Sequence, residues 1–258
     1  MHPFDVAIAN ADTNPPWRNF IGPFGGLTAA QAMRAVLVHP QRLGDPVAFT
    51  VNFAAAIADG PYEVIATPVR TNRSTQHWTV AIHQGDEVVL TGTAMTAVRR
   101  DTWSATEVEV PQVPRPCDVP LPNTPPRVEW VKRYELRFIE GGFPAEWNNG
   151  DTGRSLTRLW VRDNPPRPLD FASLTAMSDV FFPRIWLRRA HFIPLGTVTM
   201  TVYFHAREDD LKKSGDGYLL GQTRGQGFGA GYFDHTAQVW NEAGTLLATT
   251  TQVYYFKE

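Results

Sequence analysis

The stretch FGGLTAAQA at residues 24–32 recurs 147 positions later as FASLTAMSD at residues 171–179, with Phe, Leu, Thr and Ala at equivalent places. Two further pairs keep the same order. VNFAA (51–55) lies over VYFHA (202–206), 151 positions apart, and VVLTGTA (88–94) lies over LLATTTQ (246–252), 158 apart. Three matches in one order, with an offset that grows through the loops, indicate two copies of one unit. An apolar helix stripe must be buried against another element, so a helix on an antiparallel sheet gives each copy an α+β layer architecture. Two such units can pair edge to edge and remove a pair of exposed sheet edges.

Working outward, PFGGLTAAQAMRAVLVH (23–39) reads as a helix that starts through two glycines. Strands follow at 47–57, 62–70, 76–84 and 87–99, on β-branched and aromatic content and partial alternation, with a hairpin turn at Gln84-Gly85-Asp86. The second copy opens with strand-like stretches at 131–140 and 155–163. Its helix lies within PLDFASLTAMSDVFFPRI (168–185), capped by Asp170 or Ser173 and ended by Pro183. Strands are expected at 197–206, 217–226, 230–241 and 245–256, with a turn at Asn241 to Gly244. Between the copies, VPQVPRPCDVPLPNTPPRV (110–128) is Pro-rich and reads as an extended, stiff linker. This gives a first domain at 1–109 and a second at 129–258.

A chain of 258 residues with 43% hydrophobic content can bury a substantial core. Its net charge of −2, with acids and bases interleaved, does not favour a nucleic-acid binder. Cys117 is the only cysteine, which fits a reducing compartment. The start, MHPFDVAIANADTNPP, lacks a basic segment followed by an apolar one, and no apolar stretch approaches the ~20 residues of a spanning helix. These features point to a cytoplasmic protein without a membrane partner. Phosphate-loop, dinucleotide-binding, zinc and G-x-S-x-G motifs are absent from the sequence.

The differences between the copies carry the chemistry. Asp179 stands where the first copy has Ala32, and Gln252 stands where it has Ala94. An ionised group within AMSDVFF needs partners or water. Asp179 also shares a small-residue stripe with Ala172 and Ala176. The bland readings are a carboxylate bonding locally and a glutamine facing solvent. Thr197, Thr199 and Thr201 alternate along one strand and by the two-residue period share a face, where they either hold a water or serve as β-formers. His191 and His205 have no partner at metal-ligand spacing. Arg184, Arg188 and Arg189 form a basic cluster that suits either a small anion or plain solvation.

SLTAMSDVFF (173–182), GTVTMTVYFH (196–205) and GTLLATTTQVYYF (244–256), supported by the FGG at 24–26 and by residues 69–94, resemble the TesB-like acyl-CoA thioesterases of the double hotdog class. The resemblance implies two fused, helix-wrapped antiparallel sheets, an acyl-CoA substrate, no cofactor or metal, and a homodimer or higher homo-oligomer. It also implies a water oriented by an Asp on the second hotdog helix, a Thr or Ser on the next strand and a Gln on the last strand. Here these look like Asp179, Thr197 and Gln252, with Thr199 the alternative if the alignment slips by two. The segment TVTMTV departs from the family pattern, lacking the acidic and histidine residues common there.

With these assignments Asp179 is the general base, and Thr197 and Gln252 hold the water. Gly25 and Gly26 either present backbone donors to an oxyanion or make a tight turn. Phe24, Phe181, Phe182 and Trp186 suit an acyl slot and also ordinary core. Arg188 or Arg189 would face the anionic coenzyme. Two other readings stand beside hydrolysis. One is a hotdog enoyl-CoA hydratase, which normally needs a helix-borne His that Asp179 lacks at matching spacing. The other is a non-catalytic acyl-thioester binding module.

Overall fold

The structure, a computed structural model, describes residues 11–123 and 127–258. The expectations for residues 1–10 and for 124–126 of the linker lie outside the described residues. The first copy contains β1 (Ala11–Asp12), α1 (Gly25–Leu37), β2 (Asp45–Phe53), β3 (Pro61–Thr71), β4 (Thr75–Gln84) and β5 (Glu87–Ala97). The second contains β6 (Tyr134–Glu140), β7 (Thr157–Asp163), α2 (Phe171–Met177), α3 (Arg184–Arg189), β8 (Leu195–Phe204), α4 (Glu208–Ser214), β9 (Leu219–Arg224), β10 (Phe228–Gly229), β11 (Tyr232–Asn241) and β12 (Leu246–Phe256). The strands predicted from alternation all form. The short helices α3 and α4 were not legible, because six or seven residues carry too little periodicity to read.

All twelve strands join in one sheet, in the order β1-β3-β4-β5-β2-β8-β12-β11-β9-β7-β6, with β10 attached to β11. The two copies meet edge to edge, as the repeat suggests: β2 pairs antiparallel with β8, and Thr50 lies opposite Thr201. Their hydroxyls are 2.9 Å apart. Thr50 and Thr201 are separated by 151 positions, the same offset that relates VNFAA to VYFHA, so this pair marks the local two-fold of the repeat.

Both helices lie on the inner face of this sheet and pack on each other. Small residues allow it. A Cβ built on Gly26 would lie 2.5 Å from a ring carbon of Phe24 and 2.7 Å from the Ala176 carbonyl oxygen. Gly26→Val therefore forces the helices apart and is expected to destabilise the fold by about 3 kcal/mol, lowering Tm by roughly 6–12 °C. A calorimetric Tm within a degree of the parent would mean that the helices do not need this close approach.

Two expectations are corrected. Helix α2 ends at Met177, well before Pro183, which instead precedes α3. Asp170 caps the helix start, accepting the Ser173 N–H at 2.7 Å. The helix is stopped by tertiary contacts rather than by proline: Gln252 Nε2 donates to the carbonyl of Ser178 at 3.2 Å. Asp179 consequently stands on the turn after α2, not within a helix. The second correction concerns the three threonines. Residues 253 and 254 pair with 199 and 197, so Val198 is the extra residue of a β-bulge. A bulge reverses the side-chain alternation beyond it. Thr197 therefore shares a face with its partner Tyr254, whereas Thr199 and Thr201 point the other way.

Over its described residues the Pro-rich segment packs against the second copy, and a 3-10 turn at Pro116–Asp118 interrupts it. Val110, Val113 and Val119 pack with Trp160, Tyr218, Leu220 and Trp240 on the outer face of the second copy's sheet. Trp160 Nε1 donates to Pro114 O at 2.9 Å, and Arg137 donates to Val119 O at 2.7 Å. Among the described residues no helix is long and apolar enough to cross a membrane.

Candidate active site

The site forms where the start of α1 meets the end of α2. Phe24, at the cap position of α1, provides no capping side chain, so the first N–H groups of this helix are left for other acceptors. The Gly26 N–H and the Gln252 side-chain amide face the Asp179 carboxylate and lower its pKa. A Cβ on Gly25 would stand 3.0 Å from Asp179 Oδ2 and 3.4 Å from the Phe53 ring, so only glycine leaves space beside the carboxylate. Thus the first copy supplies the helix N-terminus and the second supplies the acid.

Gln252 is fully buried. Its Oε1 accepts the Tyr254 hydroxyl at 2.5 Å, and its Nε2 faces Ser178 O and Asp179. Thr197 is a further hydrogen-bond partner of Tyr254. Asp179, Gln252, Tyr254 and Thr197 form one polar chain, with Thr197 reached through Tyr254. Thr199 instead donates to Val51 O at 3.0 Å, away from this chain.

Sequence reasoning missed Tyr254 and His235. His235 lies directly across from Gln252 on β11 and is fully buried. Its ring stands 5.4 Å from that of Tyr254 and 6.2 Å from that of Phe181. Neither ring nitrogen has a hydrogen-bond partner among the described residues. Burial first, and then the Arg184 cation, push its pKa well below the usual histidine value and keep the imidazole neutral. Burial likewise raises Tyr254 well above the usual tyrosine value, with the Asp179 charge adding to it.

Asp179 is pushed up to about 7 by burial, against the lowering effect of the Gln252 and Gly26 donors. Asp179 is buried, at 8% exposure for the whole residue, and Gln252 and His235 have no exposed surface. A carboxylate that changes charge near neutrality suits proton transfer.

Comparing the copies through the sheet register identifies what is special. Gln252 lies between Met200 and His235, and Ala94 lies between Phe49 and Trp78. Trp78 is thus the counterpart of His235. At the 158 offset Tyr254 corresponds to Thr96, and at the 151 offset Thr197 corresponds to Pro46. The bulge recurs too, at Val47 in β2. The strand register and its bulge recur in both copies, but Ala32, inside α1, stands for Asp179, on the turn after α2, and Pro46, Trp78, Ala94 and Thr96 stand for Thr197, His235, Gln252 and Tyr254. Trp78 fills the equivalent space and donates to Thr96 at 3.2 Å. These offsets and the Trp–His exchange were present in the sequence, but the strand register was needed to align them.

Of the other predicted residues, Phe24 stacks on Trp130, with centroids 4.0 Å apart, and belongs to the core. Phe182 stacks on Phe143 at 4.4 Å and belongs to the aromatic cluster that also contains Trp186 and Tyr254. Phe181 covers Gly221, where an added Cβ would lie 2.7 Å from its ring. The charges of the two predicted coenzyme-facing arginines are already met: Arg188 pairs with Asp151, and Arg189 pairs with Glu258 at 3.1 Å.

A helix-wrapped sheet repeated within one chain, with a polar site in one copy, defines a double hotdog protein. The chain belongs to the acyl-CoA thioesterase family: the family's N-terminal domain matches residues 13–97 and its C-terminal domain matches residues 110–256. No curated protein matches it in sequence. Among solved structures it is similar to a hotdog-fold protein of unknown function from Alicyclobacillus acidocaldarius, at 44% identity and TM-score 0.93, covering 100% of this chain and 99% of that one. It shares its fold with acyl-CoA thioesterase II TesB2 of Mycobacterium marinum, at 17% identity and TM-score 0.73, covering 96% and 92% of the two chains. A TesB protein of Mycobacterium avium subspecies paratuberculosis is similar at 18% identity and TM-score 0.76, with the same coverage of 96% and 92%.

Proposed function

We propose that the protein hydrolyses acyl-CoA thioesters with a water activated by Asp179. The observation that carries this reading is the asymmetry of the repeat: at matching positions of the two copies, the second holds a linked acid, amide, phenol and hydroxyl and the first holds apolar or inert residues. Asp179 takes a proton from water as the oxygen bonds to the thioester carbonyl carbon. The Gly25 N–H, at the positive end of α1, stabilises the developing oxyanion. Collapse breaks the C–S bond, and the proton on Asp179 passes to the departing sulfur, giving a carboxylic acid and coenzyme A. Gln252 holds the carboxylate in orientation. Tyr254 fixes the Gln252 amide by occupying its oxygen, and Thr197 supports Tyr254.

Thiol release measured across short, medium, long and aromatic acyl-CoAs tests the reaction. Turnover is expected to rise with pH through an apparent pKa of about 7, because the base is active only when ionised. Gln252→Ala is expected to lower kcat by about 10- to 100-fold, since it frees the carboxylate and leaves Ser178 O and Tyr254 without their partner. No thiol release from any acyl group would sink the hydrolase reading. Hydration of an enoyl-CoA without thiol release would identify a hydratase, and tight binding without either reaction would identify a binding module.

A further inference from the structure

A cavity of about 420 Å³ opens on the outer face of the second copy's sheet, lined by Gly153, Arg154, Ser155, Arg158, Gln222 and Arg224, with Leu156. Three guanidinium groups border it, and no carboxylate is among the lining residues. Arg158 is fixed, donating to Gln222 at 2.7 Å and to Glu140 at 3.2 Å. Arg154 and Arg224 form no ion pair among the described residues, in contrast to Arg188 and Arg189, which do. The walls are tied together: the Gly225 N–H donates to Ser155 Oγ at 2.9 Å, and the Thr152 hydroxyl joins Arg154 O to Leu187 O, both at 2.9 Å. Like charges around one concavity repel unless an anion joins them, and guanidinium forks match phosphate oxygens in geometry.

The cavity is also coupled to the catalytic segment. Ser155 lines it, and the Ser155 carbonyl accepts from Arg184, which in turn holds the carbonyl of Phe182, three residues after Asp179. We infer that this cavity binds the phosphate groups of the thioester's nucleotide carrier, with Arg154 and Arg224 as the ligands and Arg158 as a fixed wall. The inference rests on the acyl-CoA reading above for the identity of the carrier. What the arginines set by themselves is an anion with phosphate-like oxygens.

Isothermal titration of the full chain with coenzyme A and with 3′,5′-ADP tests the site without any need for turnover. Arg154→Ala and Arg224→Ala are each expected to weaken both ligands about tenfold or more, the loss of a charge-assisted contact. In kinetics, the same variants are expected to raise KM for acyl-CoA at least ten times more than for the matching N-acetylcysteamine thioester, which lacks the nucleotide. Undiminished coenzyme A binding in the double variant would overturn the proposal. So would inorganic phosphate binding there without displacing coenzyme A, which would make the cavity a site for a free anion. If no thioester is hydrolysed while the arginine variants still lose coenzyme A, the hydrolase reading fails and this site stands.

Discussion

Asp179→Asn is expected to lower thiol release by about 100- to 10,000-fold and, at pH 8, to raise the melting temperature. The first effect follows from removing the proposed general base. The second follows from burial. The Asp179 pKa is raised from 3.8 to about 7 in the folded chain, so the folded state binds a proton more tightly than the unfolded state. The sign is then fixed: below about pH 4 both states are protonated and the group is neutral in its effect. Between about pH 4 and 7 the unfolded state alone ionises, and stability falls as pH rises; above about pH 7 the penalty is complete. At 1.36 kcal/mol per pKa unit, the rise from 3.8 to about 7 corresponds to a penalty of about 4 kcal/mol, and asparagine does not incur it. Asparagine also keeps an oxygen to accept the Gly26 N–H. The difference in Tm between variant and parent should therefore be near zero at pH 4 and reach roughly 8–16 °C at pH 8. Scanning calorimetry at both values, beside the thiol assay, checks it. A variant that melts below the parent at pH 8 would mean that the donors outweigh burial, and retained turnover would remove Asp179 from the base role.

The second large effect is expected at Arg184. This side chain is fully buried, and no carboxylate pairs with it among the described residues. Its charge is met instead by neutral acceptors: Phe182 O, with Nε at 2.9 Å and Nη2 also donating, Ser155 O at 3.2 Å, and the Thr157 hydroxyl. Its guanidinium carbon also lies 4.1 Å from the centre of the Phe182 ring. Burial lowers its pKa to about 9, which leaves it charged at neutral pH. Arg184→Ala strands two buried carbonyls and a hydroxyl and opens a cavity, so it should destabilise the fold by about 3–5 kcal/mol. Tm should fall by roughly 6–15 °C. Arg184→Met, which refills most of the volume and removes the buried charge, should lose less than half as much. Because Arg184 ties the segment after Asp179 to β7, turnover should also drop in both variants at temperatures where each remains folded. A Tm for Arg184→Ala within a degree of the parent would show that these contacts contribute nothing net.

The residues alone gave the repeat, the helix-on-sheet layering and the edge-to-edge junction, because helix and strand periodicities and the two-copy offsets are properties of local sequence. They also gave Asp179 and Gln252, since a carboxylate and an amide in place of alanines stand out between copies of one unit. The paired arginines, by contrast, were legible only as a basic cluster; their partners Asp151 and Glu258 lie far along the chain and are brought close by folding. The two-residue strand period put Thr197 with Thr199 and Thr201, and one extra residue, Val198, turned it to the other face beside Tyr254. His235 looked like any strand histidine until the register set it opposite Gln252. What tertiary structure alone decided is the state of the acid: the start of α1 comes from the other copy, and folding buries the carboxylate among residues distant in sequence. A proton affinity depends on everything that surrounds the charge, and residues far apart in sequence supply most of those surroundings.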